Sequence, residues 1–290
     1  MKKILMHSAI VFSLLMSHVV TIHAASIVPP APTVKAGGVA IYGWTTDGVP
    51  TVLYQKKQNW LFPIASITKL ATAHAVEEMF SANKKFTVSA SAIKTLGSTR
   101  GITVGSVYTR DDLLRALLIS SSNDAATVFA EYAKKQSLVD AMNSFLHGNG
   151  YTATSFINPS GLDPFTTTIA PNRMTPYNIS RLMSDIYQEN GIVREIMTQK
   201  SAIITDLATG IQTELRSSDE LNYDPLYADR VLIGKTGRTN RAAETLTFVT
   251  DGYGDYDYIT VALLYTGYRY QDGKAVLNWI EQLRKASEEQ

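Results

Sequence analysis

Three short polar motifs along this chain place the strongest constraint on its fold. Their sequences are SITK at residues 66–69, SSN at 121–123 and KTG at 235–237. Each motif lies where a stretch with the apolar pattern of a buried helix or strand begins or ends. Any one motif alone carries little information. Together they indicate a fold that directs polar side chains from three junctions into one cleft.

The first motif lies at the start of a predicted helix over residues 64–80. Pro63 precedes a run of apolar residues with helical spacing, which indicates that the helix opens near Ala65 or Ser66. Ser66 then lies in the first turn, and Lys69 follows one turn later on the same face. The first N–H groups of a helix lack internal partners, and its dipole favours negative charge there. Ser66 is therefore predicted to supply a nucleophile and half of an oxyanion hole.

Lys69 is the candidate base for Ser66. An unperturbed lysine titrates near ~10.4, so a neutral amine at pH 7 requires its pKa to fall by about 3 units, or roughly 4 kcal/mol. Burial against the apolar helix and the charge of Lys235 would both lower this pKa. The alternative is a surface lysine beside an N-capping serine, which the apolar flank over residues 65–73 disfavours.

The second motif lies between two predicted helices. Residues 109–112 form a capping-box pattern at the start of one helix, and residues 125–135 predict the next. In the polar turn between them, Ser121 is a candidate for relaying a proton to a leaving amine. The Asn123 amide is a candidate for holding a substrate carbonyl or for orienting the base. The simpler interpretation, an N-cap formed by Asp124, is compatible with both roles.

The third motif follows a short apolar run at residues 230–233, which predicts a strand ending just before it. Gly237 allows a substrate backbone to approach closely, and the N–H of Arg238 would supply the other half of the oxyanion hole. Lys235 and Thr236 are candidates for binding a substrate carboxylate. The alternative is an ordinary hairpin, and the presence of the other two motifs favours the functional interpretation.

Two further stretches, residues 87–126 and the segment FINPSGLD at 156–163, resemble the low-molecular-mass penicillin-binding proteins, the serine D-alanyl-D-alanine carboxypeptidases. The three motifs match their S-x-x-K, S-x-N and K-T-G elements in order, and the resemblance extends over residues 38–285. It implies a peptidase that acts on peptidoglycan stem peptides, is inhibited by β-lactam antibiotics and uses neither a cofactor nor a metal.

The resemblance also implies residue roles. The acylated nucleophile, its base and the second catalytic element would be, in order, Ser66, Lys69, Ser121 and Asn123. The residues that bind the substrate would be Lys235, Thr236, Gly237 and Arg238.

The chain departs from this family directly after K-T-G. Relatives usually carry an aromatic residue there and a small Ala-Gly pair a few residues on, whereas this chain has Arg238 and the sequence AAE at 242–244. Because the oxyanion donor is a backbone group, the reaction is expected to survive the change. Arg238 and Arg241 add positive charge at the rim, which would suit an acidic group on the substrate.

The order of predicted elements indicates an α/β (α+β) fold. Helices are predicted over most of residues 64–187, and a final helix over 274–288. Strands are predicted near both chain ends, over residues 38–44, 51–55, 201–206, 212–216, 230–233, 244–250 and 256–265. This order favours an antiparallel sheet flanked by helices with an inserted helical lobe, and it places the site between sheet and lobe.

The first residues have the pattern of a secretory signal peptide, with Lys2 and Lys3 before an apolar core and small residues near position 25. We therefore predict a secreted, periplasmic protein. Its predicted parts are a signal peptide over residues 1–25, a proline-rich leader over 26–37 and one peptidase domain over 38–288. Within that domain the sheet subdomain would comprise residues 38–65 and 200–288, and the helical subdomain about 66–199.

Composition narrows the classes of partner. Without residues 1–25 the chain has 25 basic and 26 acidic residues and no cysteine. Nucleic-acid binding, a lipid anchor on cysteine and a disulfide are therefore not expected. Many relatives continue into a C-terminal β-domain and an amphipathic membrane anchor, and we expect neither here.

Histidine chemistry has little support in this sequence. Only His74 and His147 lie beyond the predicted signal peptide, so neither a Ser-His-Asp triad nor a histidine-rich metal site is expected. His74 lies about one turn beyond Lys69. A polar residue on the flank of the helix is favoured over a supporting role in the site.

Two other functions stay open. A serine β-lactamase of class A carries a deacylating E-x-x-L-N element, whereas the segment ELN at residues 220–222 lacks this spacing and lies just before the third motif. A non-catalytic wall-binding or β-lactam-sensing protein is disfavoured because all motif side chains are present. Within the leading hypothesis, carboxypeptidase and endopeptidase action differ only in the leaving amine.

Overall fold

The computed structural model describes residues 29–97, 102–189 and 191–289. The predicted signal peptide over residues 1–25 lies outside the described residues, as does the start of the predicted leader. Within the described part, the helices lack the length and apolar character needed to cross a bilayer.

Strands come first, helices dominate the middle of the chain, and strands return before a final helix, which is the order that the sequence pattern predicts. The strands are β1 (Gly38–Trp44), β2 (Pro50–Lys56), β3 (Phe62–Pro63), β4 (Lys85–Thr87), β5 (Val107–Thr109), β6 (Thr154–Ser155), β7 (Arg173–Met174), β8 (Ser201–Thr205), β9 (Gln212–Arg216), β10 (Ile233–Thr239), β11 (Ala243–Asp251) and β12 (Tyr258–Thr266). The helices are α1 (Lys69–Met79), α2 (Arg110–Leu118), α3 (Asn123–Ala133), α4 (Lys135–Gly148), α5 (Pro176–Gln188), α6 (Ile192–Met197) and α7 (Arg269–Glu288). Short 3₁₀ turns cover Ala65–Thr68, Ala92–Lys94 and Glu220–Tyr223.

The central sheet joins both ends of the chain. Its five strands lie in the order β10-β11-β12-β1-β2, and all neighbours are antiparallel. The N-terminal strand β1 pairs with β12 near the C-terminus, with Ala40 opposite Ala262. This topology confirms the predicted sheet made from both chain ends, and it leaves β10 at one edge.

Helices cover both faces of the sheet because the strands are apolar on both sides. In β1 all seven residues are buried. Val39 and Ile41 belong to the apolar cluster that includes Trp279 of α7. Ala40 belongs to the larger cluster, which includes Ile179 of α5 and most of the helical lobe. This arrangement confirms the predicted α/β fold with an inserted helical lobe.

The structure corrects the predicted bounds of the third motif's strand. The sequence pattern predicts a strand that ends at residue 233, whereas β10 begins at Ile233 and runs to Thr239. Lys235, Thr236 and Gly237 therefore lie within the strand, paired with β11. The apolar pattern stops at Ile233 because the following side chains belong to a polar site, although the backbone pairing continues.

The hairpin of β8 and β9 forms a separate two-stranded sheet. Ile204 and Leu215 point its apolar face into the same cluster as Leu114 of α2. The hairpin thus packs on the helical lobe and does not extend the central sheet, although both strands lie close to where the sequence predicts them.

The helix caps partly match the prediction. The Thr109 hydroxyl accepts a hydrogen bond from the Asp112 N–H at 3.1 Å, which confirms the predicted N-cap of α2. The N-cap of α3 is Ser122, whose hydroxyl accepts from the Ala125 N–H at 3.0 Å, and not Asp124 as predicted. Because the cap lies two residues earlier, α3 begins at Asn123.

A loop over residues 157–162 packs against the turn that carries Ser66. The Asn158 side chain accepts from the Gly161 N–H at 2.7 Å and donates to the Leu162 carbonyl at 2.9 Å. Gly161 has a φ of +82°, and a Cβ at this position would lie 2.0 Å from the Ala65 carbonyl oxygen. Only glycine allows this close approach.

We predict that Gly161→Ala destabilises the fold by about 3 kcal/mol or more, from left-handed strain of about 1–2 kcal/mol together with the clash on Ala65. Gly210→Ala is the matched control, because Gly210 has a φ of +76° but nothing within 4 Å of the added Cβ. Urea unfolding of both variants measures the difference. Equal destabilisation would show that the contact with Ala65 contributes nothing.

Candidate active site

The fold brings the three motifs together at the edge of the central sheet. Ser66 lies on the 3₁₀ turn that precedes α1, and β10 packs directly against this turn. The second motif forms the turn between α2 and α3. Lysine side chains connect the three: Lys69 contacts Ser66 and Asn123, and Lys235 contacts Ser121. The convergence that the sequence predicts is therefore present.

Lys69 lies at the centre of the cluster and is fully buried. Its Nζ lies 2.8 Å from Ser66 Oγ, 2.8 Å from Asn123 Oδ1 and 2.6 Å from the Ser160 carbonyl oxygen. Burial and then the charge of Lys235 lower its pKa well below the ordinary value. A neutral amine donates only two hydrogen bonds, which leaves its lone pair for the Ser66 hydroxyl.

Lys235 is the second buried cation, with 1% of its surface exposed. Its Nζ donates to Ser121 Oγ at 2.9 Å and to the Thr236 carbonyl at 3.1 Å. Burial lowers its pKa to about 7, with a further decrease from Arg269 and an opposing increase from Asp219. Lys235 is thus protonated in part at neutral pH and is placed to bind an anion.

Ser121 adopts a backbone conformation that side chains rarely occupy, with a φ of +60°. Left-handed backbone is disfavoured by about 1–2 kcal/mol in a non-glycine residue. The turn is held by the next residue, since the Ser122 N–H donates to the Ala116 carbonyl at 2.9 Å. The strained turn aims the Ser121 hydroxyl at Lys235.

Asn123 has both ends of its amide engaged. Its Oδ1 accepts from Lys69, and its Nδ2 donates to the Leu96 carbonyl at 2.8 Å. The sequence left open whether this amide orients the base or holds a substrate carbonyl. In the structure this oxygen contacts Lys69, the candidate base.

Gly237 lets β10 approach the backbone of Ser66. A Cβ at this position would lie 2.9 Å from the Ser66 nitrogen and 2.5 Å from Thr245 Oγ1. Arg269 donates to the Gly237 carbonyl from Nη1 at 3.0 Å, which holds this part of the strand in place. The backbone of residues 237–238 therefore lies beside the Ser66 N–H, the arrangement that a two-donor oxyanion hole requires.

Thr236 is buried, and its hydroxyl lies 2.9 Å from the Ser218 hydroxyl. Ser218 also donates its N–H to the Ile119 carbonyl at 3.0 Å and accepts at its own carbonyl from Tyr270. The segment before the 3₁₀ turn at Glu220–Tyr223 therefore links the end of α2 to β10.

Sequence reasoning missed several groups of the site. Ser160 contributes through its carbonyl, which no side-chain pattern reveals, although the FINPSGLD segment already drew attention to this loop. Ser218, Asp219 and Arg269 carry no spacing signal, because they reach the site only through tertiary packing.

The two arginines after the third motif differ in their surroundings. Arg238 is exposed and forms no ion pair with any described residue. Arg241 donates its guanidinium to the carbonyls of Ile169 and Thr166, at 2.7 and 2.5 Å. The positive rim that the sequence predicts therefore rests on Arg238, whereas Arg241 braces a loop.

His74 and Glu220 both lie apart from the Lys69 cluster. His74 is buried and stacks on Phe145 with ring centroids 4.6 Å apart, and burial lowers its pKa to about 4. Glu220 is exposed and lines a small cleft with Tyr270 and Lys274. Among the described residues, no cluster of three or more histidine, cysteine, aspartate or glutamate side chains is placed to hold a metal ion.

The chain is similar to known proteins over most of its length. The sequence model for D-alanyl-D-alanine carboxypeptidase matches residues 27–264. A D-alanyl-D-alanine endopeptidase of Pseudomonas aeruginosa is 26% identical over 83% of this chain and 83% of its own length. A D-alanyl-D-alanine endopeptidase of Escherichia coli is 24% identical over 89% of this chain and 81% of its own length.

The fold also matches a solved structure. A D-alanyl-D-alanine carboxypeptidase from Mycobacterium tuberculosis superposes with a TM-score of 0.73 at 24% identity, covering 87% of this chain and 92% of that chain. The match to the family model takes in all three motifs. The chain therefore belongs to the D-alanyl-D-alanine carboxypeptidase family of serine peptidases, the low-molecular-mass penicillin-binding proteins.

Proposed function

We propose that this DD-peptidase hydrolyses peptidoglycan stem peptides in the periplasm through an acyl-enzyme on Ser66. The buried Lys69 carries the proposal, because its Nζ lies 2.8 Å from the Ser66 hydroxyl and its pKa is lowered by burial. A neutral amine in this position accepts the hydroxyl proton as the serine attacks. The predicted signal peptide supports export.

In the acylation step, Ser66 Oγ bonds to the carbonyl carbon of the penultimate D-Ala, and its proton passes to Lys69 Nζ. The N–H groups of Ser66 and Arg238 stabilise the oxyanion. The C–N bond to the leaving residue then breaks, and Ser121 gives its proton to the leaving amine. Ser121 regains a proton from Lys69, which returns the lysine to its neutral form.

In the deacylation step, water attacks the ester carbon and gives one proton to Lys69. The C–O bond to Ser66 breaks, the serine recovers its proton from Lys69, and the shortened peptide leaves as a carboxylic acid. The same base thus serves both half-reactions.

The substrate carboxylate is assigned to Lys235 and Thr236. The Lys235 ammonium supplies charge and the Thr236 hydroxyl a hydrogen bond, both within a buried setting where such contacts are strong. A penicillin presents a carboxylate and a reactive amide in a similar relation, so we expect it to acylate Ser66. The two endopeptidase relatives support a cross-linking amine as the leaving group, alongside free D-Ala.

Next to Arg238 lies a cleft of about 470 Å³. It is lined by Lys94, Leu96, Phe165, Arg238, Thr239 and others. Lys94 and Arg238 give this cleft two exposed cations, and the Asp163 carboxylate in its wall accepts hydrogen bonds from the Thr239 hydroxyl and the Arg241 N–H. An acidic group on the stem peptide, such as the free carboxylate of a diaminopimelate residue, suits this environment.

We predict that penicillin labels Ser66 stoichiometrically and that Ser66→Ala abolishes labelling, because the acyl bond forms on this oxygen. Ser120→Ala is the control, since the Ser120 hydroxyl bonds only to the Ala116 carbonyl among the described groups. Intact-mass analysis and peptide mapping measure the adduct. Labelling of another serine would overturn the assignment.

We predict that the penicilloyl adduct persists for minutes or longer while D-Ala-terminated peptides turn over. The reason is that Glu220, the nearest counterpart of a β-lactamase deacylating carboxylate, is exposed and lines a different cleft. Glu220→Gln should therefore leave adduct lifetime unchanged, as should Glu214→Gln on β9. Rapid penicillin hydrolysis that depends on Glu220 would favour the β-lactamase function instead.

We predict that Arg238→Ala lowers kcat/KM on muropeptides severalfold and leaves a neutral depsipeptide nearly unaffected. An exposed charge contact contributes about 1 kcal/mol or less, and added salt should reduce the difference. Lys235→Ala should impair both substrates, because it binds the group they share. Arg216→Ala, which removes an exposed arginine on β9, is the control. Equal loss on both substrates for Arg238→Ala would contradict the rim-charge proposal.

A further inference from the structure

Asn172 is a buried residue that lies between the two segments flanking Lys69. Only 1% of its surface is exposed. It directly precedes β7, the middle strand of a small sheet with the order β3-β7-β6. Strand β3 leads into the turn that carries Ser66, and β6 leads into the loop over residues 157–162. Because β7 pairs with both strands, the starts of the turn and of the loop lie beside Asn172.

The Asn172 side chain uses all of its hydrogen-bonding positions. Its Oδ1 accepts from the N–H groups of Ile157 at 2.8 Å and Asn158 at 3.4 Å. Its Nδ2 donates to the Asn158 carbonyl at 2.8 Å and to the Thr68 hydroxyl at 3.0 Å. A side-chain amide offers two donor and two acceptor positions, so all four are engaged. One side chain thus ties the backbone of the loop to the turn that carries Ser66.

This tie reaches Lys69 from two sides. Thr68 is the residue directly before Lys69, and the turn is held a second time where the Asn172 carbonyl accepts from the Ile64 N–H at 3.2 Å. The loop on the other side carries the Ser160 carbonyl, which lies 2.6 Å from Lys69 Nζ. The contact between the amine and this carbonyl therefore forms where the two tied segments meet.

The Ser160 carbonyl determines which part of the Lys69 amine faces Ser66. A neutral amine has two N–H groups and one lone pair. With one N–H on Asn123 Oδ1 and the other on the Ser160 carbonyl, the lone pair faces the Ser66 hydroxyl. Without the carbonyl, the freed N–H would turn to Ser66 Oγ instead. An amine that donates to this hydroxyl is not oriented to accept its proton.

We propose that Asn172 is a positioning residue for acylation, which ties the 157–162 loop to Thr68 and so holds the Ser160 carbonyl on Lys69 and the lone pair of the amine on Ser66. The Asn172 side chain bonds to Thr68 and to the loop, and it acts on the amine through them. This inference rests on the proposed function, because it assumes that Lys69 is the base.

The experiment follows labelling of Ser66 at several penicillin concentrations by intact mass, which separates the maximal rate constant from the half-saturating concentration. Rate constants are taken for the fraction of protein that becomes labelled. For Asn172→Ala we expect the maximal rate constant to fall about tenfold or more, because small misplacements of reacting groups are this costly. The half-saturating concentration should change by less than about twofold, since Lys235 and Thr236 bind the carboxylate from β10. An unchanged maximal rate constant overturns the inference.

Asn143→Ala is the matched control. The Asn143 amide also holds backbone next to this loop, since Nδ2 donates to the Phe156 carbonyl at 2.9 Å and Oδ1 accepts from the Phe156 N–H at 3.1 Å. It reaches the loop from α4 and takes no part in the tie to Thr68. Its loss should lower the free energy of unfolding in urea and leave the maximal rate constant unchanged. Equal loss of rate in both variants would indicate general loosening of the loop and overturn the inference.

Variants of Thr68 test the same tie from its other end. Thr68→Val keeps the shape of the side chain and removes the hydroxyl that accepts from Asn172, so the maximal rate constant should fall. Thr68→Ser keeps the hydroxyl and should retain most of the rate. A merely structural role would lower the labelled fraction and leave the rate constant of that fraction unchanged.

These variants also keep the inference testable if Asn172→Ala does not fold. In that case an unchanged maximal rate constant in Thr68→Val, or an equal loss in Thr68→Ser, overturns the inference. Failure of the wild-type protein to label at Ser66 would instead overturn the proposed function.

Discussion

The site depends on one buried amine. Lys69 is fully buried, and its Nζ is held by a hydroxyl, an amide oxygen and a backbone carbonyl, each from a different part of the chain. Taking a lysine out of water is unfavourable for its charged form, and in the proposed mechanism that penalty lets Lys69 act as the base. The helical lobe, the 157–162 loop and the sheet edge must all be in place for this environment to exist. The buried environment of Lys69 is therefore a property of the whole fold.

The two buried lysines of the site, Lys69 and Lys235, also affect each other electrostatically. Burial and then the charge of Lys235 lower the pKa of Lys69, while the charge of Asp219 raises the pKa of Lys235 against the effect of burial. The surroundings of the two amines differ: Lys69 Nζ lies against the Ser66 hydroxyl, the Asn123 amide oxygen and the Ser160 carbonyl, whereas Lys235 Nζ donates to the Ser121 hydroxyl and the Thr236 carbonyl. The strained turn at Ser121, with its positive φ, lies between them. Strain of this kind persists only where surrounding structure fixes it.

The sequence predicts the architecture well because its signals are local. The apolar run of β1, the capping box at Thr109 and the polar breaks at the motifs each depend on neighbouring residues. Contributions that depend on packing were not predictable: the Ser160 carbonyl, the Asp219 carboxylate and the restraint of Arg241 by a loop. The predicted end of the third motif's strand was wrong for the same reason. Its polar side chains belong to the site and break the apolar pattern, although the backbone of β10 stays paired with β11.

The backbone contact between Lys69 and Ser160 bears on how such a site tolerates mutation. The Ser160 hydroxyl contacts Asn158 and the Leu162 N–H, whereas the oxygen that holds Lys69 belongs to the peptide bond. Every amino acid carries that oxygen, so substitutions at 160 leave the contact available as long as the loop keeps its path. Sequence variation is constrained instead at neighbours that shape the path, such as Asn158. The contact with Lys69 thus depends on the residues that fix the path of the loop backbone, and not on the side chain at position 160.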